Sequence, residues 1–215
     1  MDLENLRRSY EESSLKSEDL AECPFQQFES WFQHAQSASA PDWFEVNAMT
    51  LATASPDRVS SRIVLLKQFG PDGFVFFTNY MSEKGRQLAA NPLASLVLYW
   101  PHVERQVRVE GEVAKTSAEV SDTYFHARPQ SSQLGAVASP QSSKISSREE
   151  LIESTMELAK QYGDEEVPRP EHWGGYVLKP VRIEFWQGRP SRLHDRFVYE
   201  RQPGQESWNL ERLAP

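Results

Sequence analysis

The 215-residue sequence predicts an α+β fold built on one antiparallel β-barrel with flanking helices. Three observations predict it. Short β-branched and aromatic runs, separated by turn signals, fill the middle of the chain and return near its end. Amphipathic segments of helical period stand before and between these blocks. No internal repeat and no break in composition marks a second domain.

Taken in order, residues 1–22 are charged and Ser-rich, with a short helical signal at Leu3–Tyr10, and read as a mobile N-terminal arm. Residues 23–215 form the single domain. Pro24–Ala40 places Phe25, Phe28, Trp31, Phe32 and Ala35 on one helical face, with Glu29, Gln33 and Gln36 opposite. From Val46 the period shortens, giving strands at Ala48–Ala54, Ser60–Phe69 and Phe74–Asn79. The turns between them are Ser55-Pro56-Asp57 and Gly70-Pro71-Asp72-Gly73. A short helix, Glu83–Ala90, starts from Ser82 as N-cap and stops at Asn91-Pro92. Strands follow at Ser95–Trp100 and Gln106–Ala114. Helices return at Ala118–Ala127 and Ser147–Tyr162, the latter opened by Ser147 and Glu150 in capping-box spacing. Pro129–Ser143, rich in Ser and Gln, reads as a polar loop. Strands close the chain at Gly175–Val181, Arg182–Gln187, His194–Arg201 and Trp208–Arg212.

Composition narrows the partners. With 23 Lys+Arg against 31 Asp+Glu the net charge is -8, which argues against nucleic-acid polymers and anionic membranes. No apolar run has the roughly 18 residues of a membrane span. The start, Met-Asp-Leu-Glu-Asn-Leu-Arg-Arg, lacks the order of a signal peptide. One cysteine, Cys23, excludes an internal disulfide and a Cys-cluster metal site, so a reducing cytoplasm is expected. The charge is unevenly spread: -7 over residues 1–61, +3 over 62–108 and -4 over 109–215. The positive third reads either as solvated strand edges or as a local site for a small anion.

Several mechanisms drop out. Neither a G-x-G-x-x-G nor a P-loop is present, and no G-x-S-x-G elbow exposes a serine. His34, His102, His126, His172 and His194 are scattered, so no metal site is expected. An enzyme with this inventory depends on a bound cofactor for its hard chemistry.

The candidate groups are cations and hydroxyls. Arg62 and Lys67 lie five apart on one predicted strand, which strict alternation puts on opposite faces. Thr78 closes an apolar strand, and Ser82-Glu83-Lys84 begins a helix, where free N–H groups favour phosphate. A lysine at a strand end is more often an ordinary surface charge. Tyr124, Arg128 and Ser132 follow at four-residue steps, although Pro129 moves Ser132 into the next loop. Phenol, guanidinium and hydroxyl are all donors suited to phosphate, while Arg128 is also what a helix C-terminus favours. Trp186 to Arg196 reads as a hairpin with charged flanks, in which His194 is either structural or catalytic.

Read together, these pieces resemble the pyridoxamine 5'-phosphate oxidase family, the FMN enzymes of vitamin B6 metabolism. The resemblance rests on Arg62-Ile-Val-Leu-Leu-Lys67, Phe77-Thr78-Asn79, Glu104-Arg-Gln-Val-Arg-Val-Glu-Gly111 and Tyr124-Phe-His-Ala-Arg-Pro129. It continues through Gln141-Ser-Ser143, Trp173-Gly-Gly-Tyr176, Ile183-Glu-Phe-Trp-Gln-Gly188, Arg192-Leu-His-Asp-Arg196 and Glu211-Arg-Leu-Ala-Pro215, covering the chain from about residue 24 onward.

The resemblance implies a homodimeric FMN-binding split barrel with flavin sites at the subunit interface. It implies oxidation of pyridoxamine 5'-phosphate or pyridoxine 5'-phosphate to pyridoxal 5'-phosphate by O2, with hydrogen peroxide released, and ammonia from the amine. Arg62, Ile63, Val64, Leu65, Leu66, Lys67, Phe77, Thr78, Lys84, Gln106, Gln141, Ser142, Trp186 and Arg196 would hold FMN. Lys67, Tyr124, Arg128 and Ser132 would bind the substrate phosphate, and Arg192 and His194 would lie over the pyridine ring as catalytic residues. Arg7 and Tyr10 resemble the family's segment that closes over the site. Glu83 stands where family members commonly carry a second basic residue, and Arg86, one turn on, is the candidate replacement. The alternatives are a flavin oxidase of the same fold acting on another ring, such as a phenazine precursor, or a non-catalytic flavin or pyridoxal-phosphate carrier.

Overall fold

The structure is a computed structural model, and it describes residues 9–11, 13–202, 204–205 and 207–215. Helix α1 (Pro24–Ser37) buries Phe25, Phe28, Trp31 and Ala35, the face read from its period. Strands β1 (Ala48–Ala54) and β2 (Val59–Leu65) pair antiparallel, followed by β3 (Gln68–Gly70) and β4 (Gly73–Asn79). Helix α2 (Glu83–Ala90) is capped by Ser82, whose hydroxyl accepts from the Gly85 amide. Then come β5 (Leu93–Trp100), β6 (Arg105–Lys115), α3 (Ala118–His126), α4 (Gln130–Ala138), α5 (Arg148–Tyr162), β7 (Trp173–Gln187), β8 (Asp195–Glu200) and β9 (Asn209–Leu213).

The strands form one curled antiparallel sheet in the order β2-β1-β5-β6-β7-β4-β3, with β8 paired to β7 and β9 to β8. The α+β expectation holds. Strand β7 is the hub: its first half pairs with β4, its second half with β8, and β6 runs along its other edge. One face of the sheet carries the core. Leu51, Leu96, Val109, Ile183 and Tyr199 lie side by side across five strands and are buried. Helix α1 closes this face, with Phe28 edge-on to Phe74 at 5.0 Å between ring centroids. Fully burying each such side chain contributes about 1.5–3 kcal/mol.

Three segments differ from the sequence reading. The run Ser60–Phe69 is two strands, because the chain leaves the ladder after Leu65: the Leu66 amide donates to the Asn47 carbonyl and the Lys67 amide to the Val75 carbonyl. Residues 129–143 are not a loop throughout. After α3, Pro129 serves as N-cap of α4, which packs Leu134 against Phe125 and Trp173 and buries Gln133, whose amide donates to the His126 and Arg128 carbonyls. The two strands expected at Gly175–Val181 and Arg182–Gln187 are the single strand β7. Pro180 lies within it, tolerated at a β-bulge that shifts the register between Glu110 and Gly111.

That bulge depends on Gly111. A Cβ there would sit 2.1 Å from the Lys179 carbonyl oxygen, a backbone atom with no freedom to move aside. Gly111→Ala is expected to destabilise the protein by about 2–4 kcal/mol. In a thermal unfolding scan that is a drop in Tm of roughly 5–15 °C. An unchanged Tm would mean the bulge relaxes freely.

Candidate functional site

The break after Leu65 has a functional consequence. Because Lys67 lies beyond β2, it is not on the face opposite Arg62, as alternation predicts; both line one cavity of about 380 Å³. The lining comprises Arg62, Ile63, Val64 and Leu65 from the end of β2, Lys67 just beyond it, and Phe77 and Thr78 from β4. Lys84 comes from α2, Tyr124 and Arg128 from α3 and its end, Gln141 from the segment after α4, and Trp173 from the start of β7. Four cations converge there, and no carboxylate is among the lining residues described.

The cations form two groups. Lys84 is buried and donates from Nζ to Gln141 Oε1 at 2.8 Å, Thr78 Oγ1 at 3.2 Å and Ser82 Oγ at 3.4 Å. All three acceptors are uncharged. Burial, reinforced by the nearby Arg62 and partly offset by Glu83, lowers the Lys84 pKa to about 8. Arg62 is lowered by burial too. In the second group, the Arg128 guanidinium lies 4.7 Å above the Trp173 ring and Lys67 Nζ lies 5.8 Å from the Tyr124 ring centroid. Burial lowers the Arg128 pKa, and its Nη1 is buried without a hydrogen-bond partner. Such an orphaned donor is costly unless an anion meets it.

Phe77, Tyr124 and Trp173 form the cavity's aromatic wall. Their rings are within 22° of parallel, and Phe77 and Tyr124 lie 4.0 Å apart. Trp173, part of the Trp173-Gly-Gly-Tyr176 motif, was not among the residues expected at the site. Its signal was available: an aromatic side chain directly before Gly174-Gly175, where small residues admit close neighbours.

A second cluster forms on the face of the sheet turned away from the core. Gln106, Trp186 and Arg196 are in register across β6, β7 and β8. Arg62, by contrast, is opposite Leu51 and so shares the core-facing side. His194 packs on Trp186 at 4.6 Å, and Tyr10 stands edge-on to both at 5.6 Å. Gly188 makes room for that tyrosine: a Cβ would come within 2.6 Å of its ring. The Arg189 amide donates to His194 Nδ1 at 3.1 Å, so the neutral ring carries its proton on Nε2. Burial, then Arg192, lowers the His194 pKa and favours this neutral form. Arg196 is held by Glu184, 2 % exposed, whose Oε1 lies 2.9 Å from both Nε and Nη2. Arg192 is exposed, and it and Ser191 both adopt positive φ, 61° and 58°.

The remaining expected residues lie elsewhere. Leu66 is buried in the main core, Ser142 is exposed after α4, and Ser132 sits in the first turn of α4 rather than in a loop. None of the three lines the cavity. Arg86 does not replace a missing cation; it is exposed and donates to the Met81 carbonyl. Glu83 is instead paired with Arg58 at 2.6 Å. Arg7 lies outside the described residues.

Fold and site together define an α+β split-barrel protein whose cavity concentrates cationic and aromatic side chains in an acidic chain. Residues 40–163 match the family model described as pyridoxamine 5'-phosphate oxidase, and residues 173–215 match the pyridoxine 5'-phosphate oxidase C-terminal dimerisation region. The chain belongs to the pyridoxine/pyridoxamine 5'-phosphate oxidase family. Relatives bearing that name include one from Paraburkholderia phytofirmans, 56% identical over 99% of both chains. Another, from Bordetella pertussis, is 54% identical over 100% of both. Among solved structures, PhzG from Burkholderia lata, in complex with tetrahydrophenazine-1-carboxylic acid, superposes with a TM-score of 0.84. It is 31% identical, over 92% of this chain and 95% of that one. A pyridoxamine 5'-phosphate oxidase-related, FMN-binding protein from Nostoc punctiforme shares the fold, with a TM-score of 0.69 at 19% identity, over 90% and 98%. Among the described residues no helix is long and apolar enough to cross a membrane, and no cluster of candidate metal ligands occurs.

Proposed function

We propose that the protein is an FMN-dependent oxidase that converts pyridoxamine 5'-phosphate or pyridoxine 5'-phosphate to pyridoxal 5'-phosphate in the cytoplasm. The observation that carries this reading is the convergence of Arg62, Lys67, Lys84 and Arg128 on one cavity without a lining carboxylate. The donor set fits two phosphorylated ligands: buried Lys84 has only neutral acceptors, and Arg128 has an unmet donor. FMN, when bound, supplies a hydride acceptor that dioxygen returns to the oxidised state with release of hydrogen peroxide. Arg62, Lys84 and Thr78 hold its phosphate, and the other residues expected at the flavin, including Ser142 and Leu66, belong to the same proposal.

Lys67, Tyr124, Arg128 and Ser132 take the substrate phosphate, while Arg192 and His194 position the pyridine ring, with Arg7 and Tyr10 of the arm closing over it. Neutral His194, protonated on Nε2, offers one hydrogen bond to a ring substituent. The aromatic wall keeps water from the reacting carbon. The amine substrate yields aldehyde and ammonia with uptake of one water; the alcohol yields the aldehyde directly.

Gln106, Trp186 and Arg196 are not among the residues that line the cavity, so we assign each complete site to a homodimer, with these three given by the second subunit. The family's dimerisation region, residues 173–215, supports this because it holds Trp186, Arg192, His194 and Arg196. The likeness to PhzG gives a second reading, oxidation of a phenazine precursor. Lys67, Tyr124 and Arg128 favour a phosphorylated substrate over it.

Aerobic incubation of the FMN-loaded protein with each phosphorylated vitamer should give pyridoxal 5'-phosphate and peroxide. Absence of both products, or consumption of a dihydrophenazine instead, would overturn the assignment. The shared site has its own test. Co-expressed Lys84→Met and Arg196→Ala chains should recover about a quarter of wild-type activity, because half the dimers are mixed and one of their two sites is intact. A mixture no more active than its parents would rule out a site built from two chains.

A further inference from the structure

We propose that Gln87, in the second turn of α2, is a positioning residue that holds the Arg62 guanidinium at the cavity through uncharged oxygens, so that the cation's charge is left for a phosphate. The inference rests on the proposed flavin site. Gln87 is 5 % exposed, and its side chain points at β1 and β2 rather than at solvent. Its Oε1 accepts from Arg62 Nη2 at 3.4 Å and from the Thr53 hydroxyl at 2.5 Å. Its Nε2 donates to Ser60 Oγ at 3.1 Å. Arg62 Nη1 donates in turn to Thr53 Oγ1 at 2.6 Å and to the Leu51 carbonyl at 3.3 Å.

The chemistry fixes the orientation of the amide. A guanidinium has no acceptor, so the amide oxygen must face Arg62, and Ser60 takes the amide nitrogen at the other end. The ring Arg62–Thr53–Gln87 spans three elements, and the two groups that close it around the cation, from β1 and α2, are neutral. No carboxylate pairs with Arg62 among the described residues. The nearest acid that influences it, Glu83, is engaged by Arg58 at 2.6 Å. Glutamate in place of Gln87 would have the same shape and would pair with Arg62, and an incoming phosphate would then have to displace it. The amide orients the cation without neutralising it.

Riboflavin, which is FMN without its phosphate, separates this role from a merely structural one. Dissociation constants for both are read from quenching of flavin fluorescence. Gln87→Glu is expected to weaken FMN by about tenfold or more and riboflavin by less than about twofold. Gln87→Met, which keeps the volume and removes both polar groups, should weaken FMN by about threefold to tenfold with the same selectivity. It decides the matter if the Glu variant fails to fold. Equal losses for the two ligands, or an unchanged FMN affinity, would overturn the clamp. A wild-type protein that binds FMN no better than riboflavin would instead remove the phosphate assignment of the cavity, and the clamp with it.

Discussion

Lys84→Met is expected to weaken FMN binding by about a hundredfold while raising the Tm of the ligand-free protein. The two effects have one cause. The Lys84 ammonium is buried among Gln141, Thr78 and Ser82, with no carboxylate hydrogen-bonded to it among the described residues, and burial, only partly offset by Glu83, holds its pKa at about 8. Charging a lysine there costs stability, and methionine of similar length removes that cost, a gain of about 1–3 kcal/mol. The same substitution deletes a charge-assisted bond to the phosphate, a loss of about 2–3 kcal/mol. Calorimetry and flavin titration on the same preparations read both. A variant that lost affinity and stability together would mean the lysine is a structural support.

The depressed pKa also sets a pH profile. For a lysine, a folded pKa below the unfolded 10.5 means the folded protein releases its proton first. The stability penalty is therefore complete below pH 8 and fades as the pH rises through 8 towards 10.5. FMN affinity should move the opposite way. It should be level from about pH 6, where the phosphate becomes dianionic, up to about pH 8, and fall above that as Lys84 loses its proton. In Lys84→Met the fall above pH 8 should vanish.

Arg128→Ala is expected to raise KM for pyridoxine 5'-phosphate by about a hundredfold, with kcat changed only a few-fold and FMN affinity intact. The guanidinium is already placed by the Trp173 ring at 4.7 Å, so the ligand does not have to order it, and its buried Nη1 has no other bond to give up. Contacts to a charged phosphate through such a group contribute about 2–3 kcal/mol. Because the phosphate takes no part in the bond changes at the reacting carbon, the loss should fall on binding rather than on the chemical step. Arg128→Lys should not restore it, since an ammonium neither stacks on the indole nor presents two parallel donors. Unphosphorylated pyridoxine serves as the control: its turnover should be the same in both proteins. A drop in kcat with unchanged KM would assign Arg128 to the chemistry instead.

Local signals carried the parts of the fold that are set locally. Helix α2 has the bounds and the N-cap that Ser82 and Asn91-Pro92 announced, because capping is settled within a turn of chain. Strand β1 and the buried face of α1 were equally plain. What was hidden depended on partners far along the chain. Leu65 and Leu66 read as one continuous strand, yet the Leu66 and Lys67 amides turn to the Asn47 and Val75 carbonyls, and that turn brings Lys67 to Arg62. Helix α4 was masked by its Ser and Gln content, since its apolar side needs only Leu134 and its neighbours against Trp173. The cations themselves were visible in the sequence. Their neutral supports, Thr53 and Gln87, were not, because a polar side chain advertises no partner.

Strand β7 carries Trp173 at its first residue and Trp186 one residue from its last, some 40 Å apart at about 3.3 Å per residue. On the proposed assignment it would act as a ruler, keeping the two half-sites of one subunit too far apart to close on the same small molecule. Cofactor retention would then be a property of the pair of chains. Flavin should leak from dilute protein at the concentration where the dimer comes apart, and excess flavin should in turn hold the dimer together.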